Sequence, residues 1–245
     1  RILGLIAAGA MAVVVPLVLL GASRISDGAG LYASFAAFAA LVFADFMGRQ
    51  RWGTILLFVM FYKLGDALAG VMTNPFLLEL GFTKSEIATV VKTYGLAATL
   101  VGAAAGGSLL GSVGMMRSLW ICGLLQMLSN LTFAAQAHVG HSVPMLTLTI
   151  GLENLASGMG TAAFVAYLSS LCNVAYTATQ YALLTSLMSA ARTWLSSGAG
   201  YVADSTDWTT FYVLTTLAAV PGLMLLRRVA TVAQRPSPAG TAPTA

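Results

Sequence analysis

Long apolar runs separated by short polar connections fill most of this chain, at 2–22, 30–48, 52–73, 84–110, 116–137, 143–171, 177–201 and 208–226. At ~1.5 Å rise per residue, about 20 helical residues cross a hydrocarbon core ~30 Å thick, so each run predicts a membrane-spanning α-helix. The connections leave no room for a soluble domain between spans. The predicted fold is therefore an all-α integral membrane bundle. The run at 2–22 is too long for the apolar core of a signal peptide and is followed by a poor cleavage site, so it reads as a span. After Leu226 the sequence RRVATVAQRPSPAGTAPTA is small, Pro-rich and polar, and the tail 227–245 reads as disordered.

The run RWGTILLFVMFYKLGDALAGVMTNP breaks the apolar pattern most sharply, because Lys63 and Asp66 fall near its centre. Lys63, Asp66, Gly70, Thr73 and Asn74 recur at steps of three and four and so share one helical face. A charge at mid-membrane costs at least ~2.5–3.5 kcal/mol unless it faces protein, water or a partner. Pro75 is expected to end this helix after Asn74.

Other deep charges are Lys92, Glu153 and Arg192, whereas the interiors of 116–137 and 208–226 carry none. Polar stripes accompany them: Thr89, Lys92, Thr93 and Thr99; Glu153, Ser157 and Gly160 beside Asn154 and Thr161; Thr185, Ser189, Arg192 and Ser196. Stripes that converge at bilayer depth predict a wet polar crevice. Lys63 and Asp66, three residues apart, could simply neutralise each other. Lys92 and Arg192 lie nearer the span ends and could snorkel. Glu153 has no basic neighbour on its own helical face, and in such a crevice it is suited, with Asp66, to loading and releasing a proton.

Composition narrows the function. Of the 245 residues 58% are hydrophobic and 8% charged, with mean hydropathy +0.85, against roughly a quarter charged in a soluble domain. The net charge of +4 comes from scattered residues and gives no nucleic-acid footprint. Cys122 and Cys172 have no ligand spacing and read as packed free thiols. His138 and His141 share a loop with no carboxylate close in sequence, so no metal is expected. No HExxH, GxSxG or serine–base pattern occurs, which argues against an enzyme and against any cofactor beyond a proton gradient. Arg1, Arg49, Arg51, Arg117, Arg227, Arg228 and Arg235 fall on one side of the predicted topology and only Arg24 and Lys84 on the other, placing both ends in the cytoplasm. Gly102, Gly106 and Gly198 predict close helix approach, while Gly95 or Gly158 and Gly160 could permit bending.

An internal repeat is also legible. Thr83–Glu86 and Thr177–Gln180 share a capping-box spacing, and the glycine pairs that follow end 93 residues apart, at Gly107 and Gly200. The spans from 52 to 226 thus look like two three-helix units and resemble the nested repeat expected in a major facilitator half. Between the second and third helices, GSLLGSVGMMR (107–117) resembles the facilitator signature G-x-L-x-D-R-x-G-x-x-R in both glycines, Leu109 and Arg117, with Gly111 and Ser112 replacing the Asp and first Arg. More specifically, FYKLGDALAGVMTNPFLLELGFTKSEIATVVKTYG, ENLASGMGTAAFVAYLSSLCN and YTATQYALLTSLMSAARTWLSSGAGYVAD resemble the seventh and eighth, tenth, and eleventh helices of AmpG-type muropeptide permeases.

That resemblance implies a bacterial inner-membrane permease that imports anhydro-muropeptides (GlcNAc-anhydroMurNAc peptides), driven by the proton gradient, for peptidoglycan recycling and β-lactamase induction. It implies that 1–51 holds two extra linker helices, that 52–226 is the C-terminal transport half, and that an N-terminal six-helix half belongs with it. It also implies that the first and second helices of each triplet line the cavity while the third faces lipid. The expected proton-coupling residues are Glu153 and Asp66. Lys63, Lys92, Arg192, Asn154, Tyr62, Tyr94 and Ser189 are the expected substrate contacts, with Tyr167 and Trp194 offering further bonding or sugar-stacking faces. Two other readings remain open from the residues: a proton-coupled facilitator for peptides or acetyl-CoA-like anions, and a non-transporting membrane receptor or scaffold.

Overall fold

The structure, a computed structural model, describes residues 52–172 and 177–233. The predicted spans at 2–22 and 30–48 and the end of the tail lie outside the described residues. Every described element is helical. α1 (Trp52–Phe61) and α2 (Leu64–Glu79) form one span; α3 (Lys84–Ile87), a π-helical stretch (Ala88–Tyr94) and α4 (Gly95–Val113) form the next. α5 (Met115–Val139) and α6 (Val143–Leu171) are single helices. α7 (Thr177–Ser196) continues into α8 (Ala199–Ser205), and α9 (Trp208–Ala218) into α10 (Val220–Ala233). This is an all-α bundle of the major facilitator type.

Four spans, Trp52–Glu79, Lys84–Val113, Met115–Val139 and Trp208–Val229, are long and apolar enough to cross a membrane. α6 and α7, at 29 and 20 residues, have the length but fall short of that hydropathy, because the polar stripes lie on them.

α4 packs on α6 over much of its length. Its contact is built on glycine. A Cβ on Gly106 would lie 2.6 Å from the Met159 carbonyl oxygen, and Cβ atoms on Gly102 and Gly158 would run into the backbones of Leu155 and Thr99. Lipid tails are as apolar as leucine, so helices in a membrane associate through such close van der Waals packing. Gly102 and Gly106 act as expected. α6 runs unbroken through Gly158 and Gly160; they are packing positions, and Gly160 is where the Gln126 side chain rests. Gly198 makes no close approach to the described residues.

Several local expectations change. Pro75 sits inside α2, which continues to Glu79; the interruption falls instead at Tyr62–Lys63, where Lys63 has φ −103° and ψ 11°. α10 reaches Ala233, so the first part of the expected tail is helical and buries Val229. The third and sixth spans do not simply face lipid: α5 buries Gln126, Ser129 and Asn130, and α9 buries Tyr212, Thr215 and Thr216.

Chain ends of the helices follow their sequence signals. Thr83 and Glu86 form the capping box, with Thr83 N donating to Glu86 Oε2 at 2.8 Å and Glu86 N to Thr83 Oγ1 at 3.3 Å. Asp207 caps α9 through Thr210 N at 3.0 Å and Thr210 Oγ1 at 2.7 Å, bonds that hold its carboxyl below the usual carboxylate range. Gly114, at φ +82°, makes the one-residue turn between α4 and α5 that a side chain would strain. His141 does find a carboxylate in space, Glu86 Oε2 at 3.5 Å, and stacks on Phe82.

The apolar core divides into two aromatic clusters. One gathers Phe58, Tyr62, Phe164 and Tyr167 with Leu119 and Leu226; the other gathers Phe76, Phe133, Phe211 and Tyr212 with Leu146 and Ile150. On each of the five spans that contribute buried residues to both clusters, polar residues lie between the two: Lys63 and Asp66, Gln126 and Asn130, Glu153 to Ser157, Arg192 and Ser196, Thr215 and Thr216. The bundle therefore has a polar layer sandwiched between apolar ones.

Gly158→Val should force α4 from α6 and destabilise the bundle by about 1–3 kcal/mol, the usual cost of overpacking. Gly107→Ala, on the open side of α4, should leave the melting temperature unchanged. Thermal unfolding of the detergent-solubilised protein checks both.

Candidate functional site

The polar layer is organised by the break between α1 and α2. Non-helical backbone at membrane depth survives only when buried in protein or lining a wet cavity. Here Gly65 and Gly222 let the break pack against the matching interruption between α9 and α10. A Cβ on Gly65 would lie 2.7 Å from the Thr215 carbonyl oxygen, and one on Gly222 the same distance from that of Phe61.

Lys63, at the break, uses all three ammonium protons: on Asp66 Oδ2 at 3.2 Å, on Thr161 Oγ1 at 2.9 Å and on the Ser157 carbonyl at 3.4 Å. Asp66 Oδ2 also accepts from Ser157 Oγ at 3.1 Å and Gln126 Nε2 at 3.4 Å. The side chains of Lys63 and Asp66 are only 18% and 14% exposed, so each charge is met mainly by protein. The pair neutralises itself, and it also ties the first span to α5 and α6.

Glu153 lies one turn along α6 from Ser157, within electrostatic reach of Asp66 and Lys63. Its Oε2 accepts from Asn154 Nδ2 at 2.8 Å. Asn154 Nδ2 also donates to the Ile150 carbonyl at 2.9 Å, and its Oδ1 lies 2.9 Å from Thr99 Oγ1. Asn154 thus orients Glu153 and joins α6 to α4.

Beside the pair opens a crevice lined by Met60, Lys63, Asp66, Met188 and Arg192. Of the predicted contacts, Lys63, Asp66 and Arg192 share this crevice, and Glu153 and Asn154 sit next to its charges. Lys92, Tyr94 and Ser189 are exposed on the π-helical stretch and α7 and are not among the crevice residues. The Tyr94 hydroxyl packs over Gly151, where a Cβ would come within 2.7 Å of it.

Tyr62 is not among the crevice residues: its ring is buried, stacked on Phe164, and its hydroxyl donates to the Leu119 carbonyl at 2.8 Å. Tyr167 is likewise buried in that cluster, and the side chain of Trp194 lies outside the described residues. Gln126 and Asn130 were missed by reading charges alone. Their signal is the spacing Gln126, Ser129, Asn130, one polar face within an otherwise apolar run. Among the described residues no group of His, Cys, Asp and Glu could hold a metal.

No protein-family model matches the chain. Individual relatives do. The transporter named AmpG 4 of Rickettsia felis is 44% identical over 184 residues, 75% of this chain and 44% of its own length. The anhydromuropeptide permease of Escherichia coli K12 is 43% identical over 183 residues, 74% of this chain and 37% of its own. The transporter named AmpG 1 of Rickettsia prowazekii is 36% identical over 177 residues, 72% and 40% of the two chains. The chain thus spans less than half the length of the curated relatives it matches. These are named transporters and a permease rather than enzymes, and the matched three quarters of the chain are homologous to the AmpG-type permeases.

Proposed function

We propose that this chain supplies the C-terminal half of a proton-driven permease that imports anhydro-muropeptides across the bacterial inner membrane. The observation that carries the reading is the Lys63–Asp66 pair at a broken helix, held in a polar layer that an otherwise apolar bundle has no structural need to contain. The name of the Escherichia coli relative supports the substrate. In this reading residues 52–226 work by alternating access against an N-terminal six-helix half, 1–51 supply two linker helices, and both ends of the chain face the cytoplasm, as the Arg and Lys bias favours.

The chemistry suits an anionic sugar–peptide. With Asp66 ionised, Lys63 is fully committed to protein. A proton arriving on Asp66 removes the charge that holds Lys63, whose ammonium then turns to a substrate carboxylate in the crevice it shares with Arg192. Arg192 can take a carboxylate with two parallel bonds. Proton and anion thus enter together, and neither leaves the other charge uncompensated in a low-dielectric site. Glu153 relays the proton to and from Asp66.

Glu153→Gln in the complete transporter should abolish gradient-driven uptake of labelled anhydro-muropeptide into vesicles, with folding intact; unchanged uptake would remove Glu153 from the mechanism. Asp66→Asn mimics the protonated site, so substrate should bind with little dependence on pH while accumulation is lost. Binding that still rises steeply on acidification would count against Asp66. Arg192→Ala should weaken an anionic muropeptide about tenfold relative to a neutral sugar fragment, the worth of one charge-assisted bond. Lys92→Ala, remote from the crevice, should have the smaller effect, and equal losses for the two ligands would mark both cations as structural.

A further inference from the structure

Gln126 lies on α5, a span whose interior carries no charge, and it is 5% exposed. A polar amide inside a bilayer is costly unless it finds a partner on another helix. The partner here is the carboxyl of the first span: Gln126 Nε2 donates to Asp66 Oδ2 at 3.4 Å. α6 is shaped to receive the side chain on its way. A Cβ on Gly160 would lie 2.6 Å from Gln126 Cδ and 2.7 Å from both Nε2 and Oε1, so the amide lies face-on against bare backbone. Any side chain at 160 would have to push it aside.

The two oxygens of Asp66 are not alike. Oδ2 accepts from Ser157 Oγ at 3.1 Å, Lys63 Nζ at 3.2 Å and Gln126 Nε2 at 3.4 Å. Oδ1 accepts no hydrogen bond among the described residues, and Asp66 lines the crevice. Of the three donors only Lys63 is drawn by charge. Ser157 and Gln126 are neutral, and they can donate to Oδ2 whether the group is ionised or carries a proton on Oδ1. They reach that oxygen from two different helices.

We propose that Gln126 is a positioning residue for proton coupling: seated on Gly160, it holds Asp66 Oδ2 together with Ser157, so that Oδ1 stays presented to the crevice to take up and return the proton. The inference rests on the reading that Asp66 receives the transported proton. When the proton arrives on Oδ1, Lys63 leaves and the two neutral donors remain. The carboxyl therefore does not turn after the departing ammonium, and its new O–H stays where the proton can be lost again. The one covalent bond formed is that O–H, and the same bond breaks on release. The other charged or titratable groups that bear on Asp66 are Lys63 and Tyr62 from its own span, Glu153 from α6 and Arg192 from α7 in the crevice. α5, α8 and α9, packed on the same span, bring no charged side chain to that level.

The test is the pH profile of gradient-driven anhydro-muropeptide uptake by the complete transporter in proteoliposomes, compared across variants. Gln126→Met keeps the length of the side chain and loses a donor that favours the charged carboxylate. The pH at which uptake falls to half should move about half a unit higher, a threefold change in proton affinity. Ser157→Ala, which removes the closer donor, should move it at least as far. A contact that served packing alone would lower the amount of uptake and leave that pH where it is. Gly160→Ala tests the seat without removing a polar group: its methyl displaces the amide, so the profile should move, and in the Gln126→Met background it should move no further. It also serves if the methionine variant does not fold. Profiles of Gln126→Met and Gly160→Ala that superimpose on the parent, while Asp66→Asn loses accumulation, overturn the role of Gln126 and leave the transport reading standing. Accumulation that survives Asp66→Asn overturns both.

Discussion

A lysine and a carboxylate held together in the middle of an apolar bundle set the terms for everything around them. Removing either partner would leave an uncompensated buried charge, a loss of about 3–5 kcal/mol, so the surrounding helices must bring hydrogen-bonding groups to that depth. They do so from two helices. Thr161 and the Ser157 carbonyl reach Lys63, Ser157 reaches Asp66 from the same helix, and Gln126 reaches Asp66 from α5. The polar layer follows from that demand, and so does the separation of the core into two aromatic clusters on either side.

The same constraint explains the glycines. For Gln126 to reach Asp66 its side chain must cross the surface of α6, and Gly160 leaves room for it. For the interrupted first span to stay satisfied, its break must be covered, and Gly65 and Gly222 bring the last span's own interruption close enough to do so. Gly102, Gly106 and Gly158 then let α4 close on α6, where Thr99 meets Asn154 beside Glu153. Close packing and the charged site are one construction, because small residues at the interfaces are what allow polar side chains to bridge between helices in place of water.

An ion pair is a poor source of stability where desolvation is severe. Its retention in this bundle is better explained by a change of state than by rigidity. In the proposed mechanism the occupancy of one carboxyl, Asp66, decides whether the Lys63 ammonium is available to the crevice. Arg192 also lines that crevice, where among the described residues Asp66, already bonded to Lys63, is the one carboxylate. The asymmetry gives an anionic ligand somewhere to go.

Hydropathy and spacing alone determined that this chain is helical and membrane-spanning from 52 onward, that a helix starts at Thr83, and that Lys63, Asp66, Glu153 and Arg192 lie within the spans. Those features are local: they depend on run length and on caps within four residues. Tertiary structure decided the rest. Nothing in the sequence near Pro75 says that α2 can continue through it, nor that the helix gives way at Tyr62–Lys63, because that choice depends on a partner span more than 150 residues away that covers the break. Tyr62 reads as a ligand contact by position and is a core residue by packing. Gln126 carries no charge and so gave no signal to a search for charges; only the docking of α5 against α6 and the first span brings it to Asp66, since which polar groups meet inside a bilayer is settled by how helices dock.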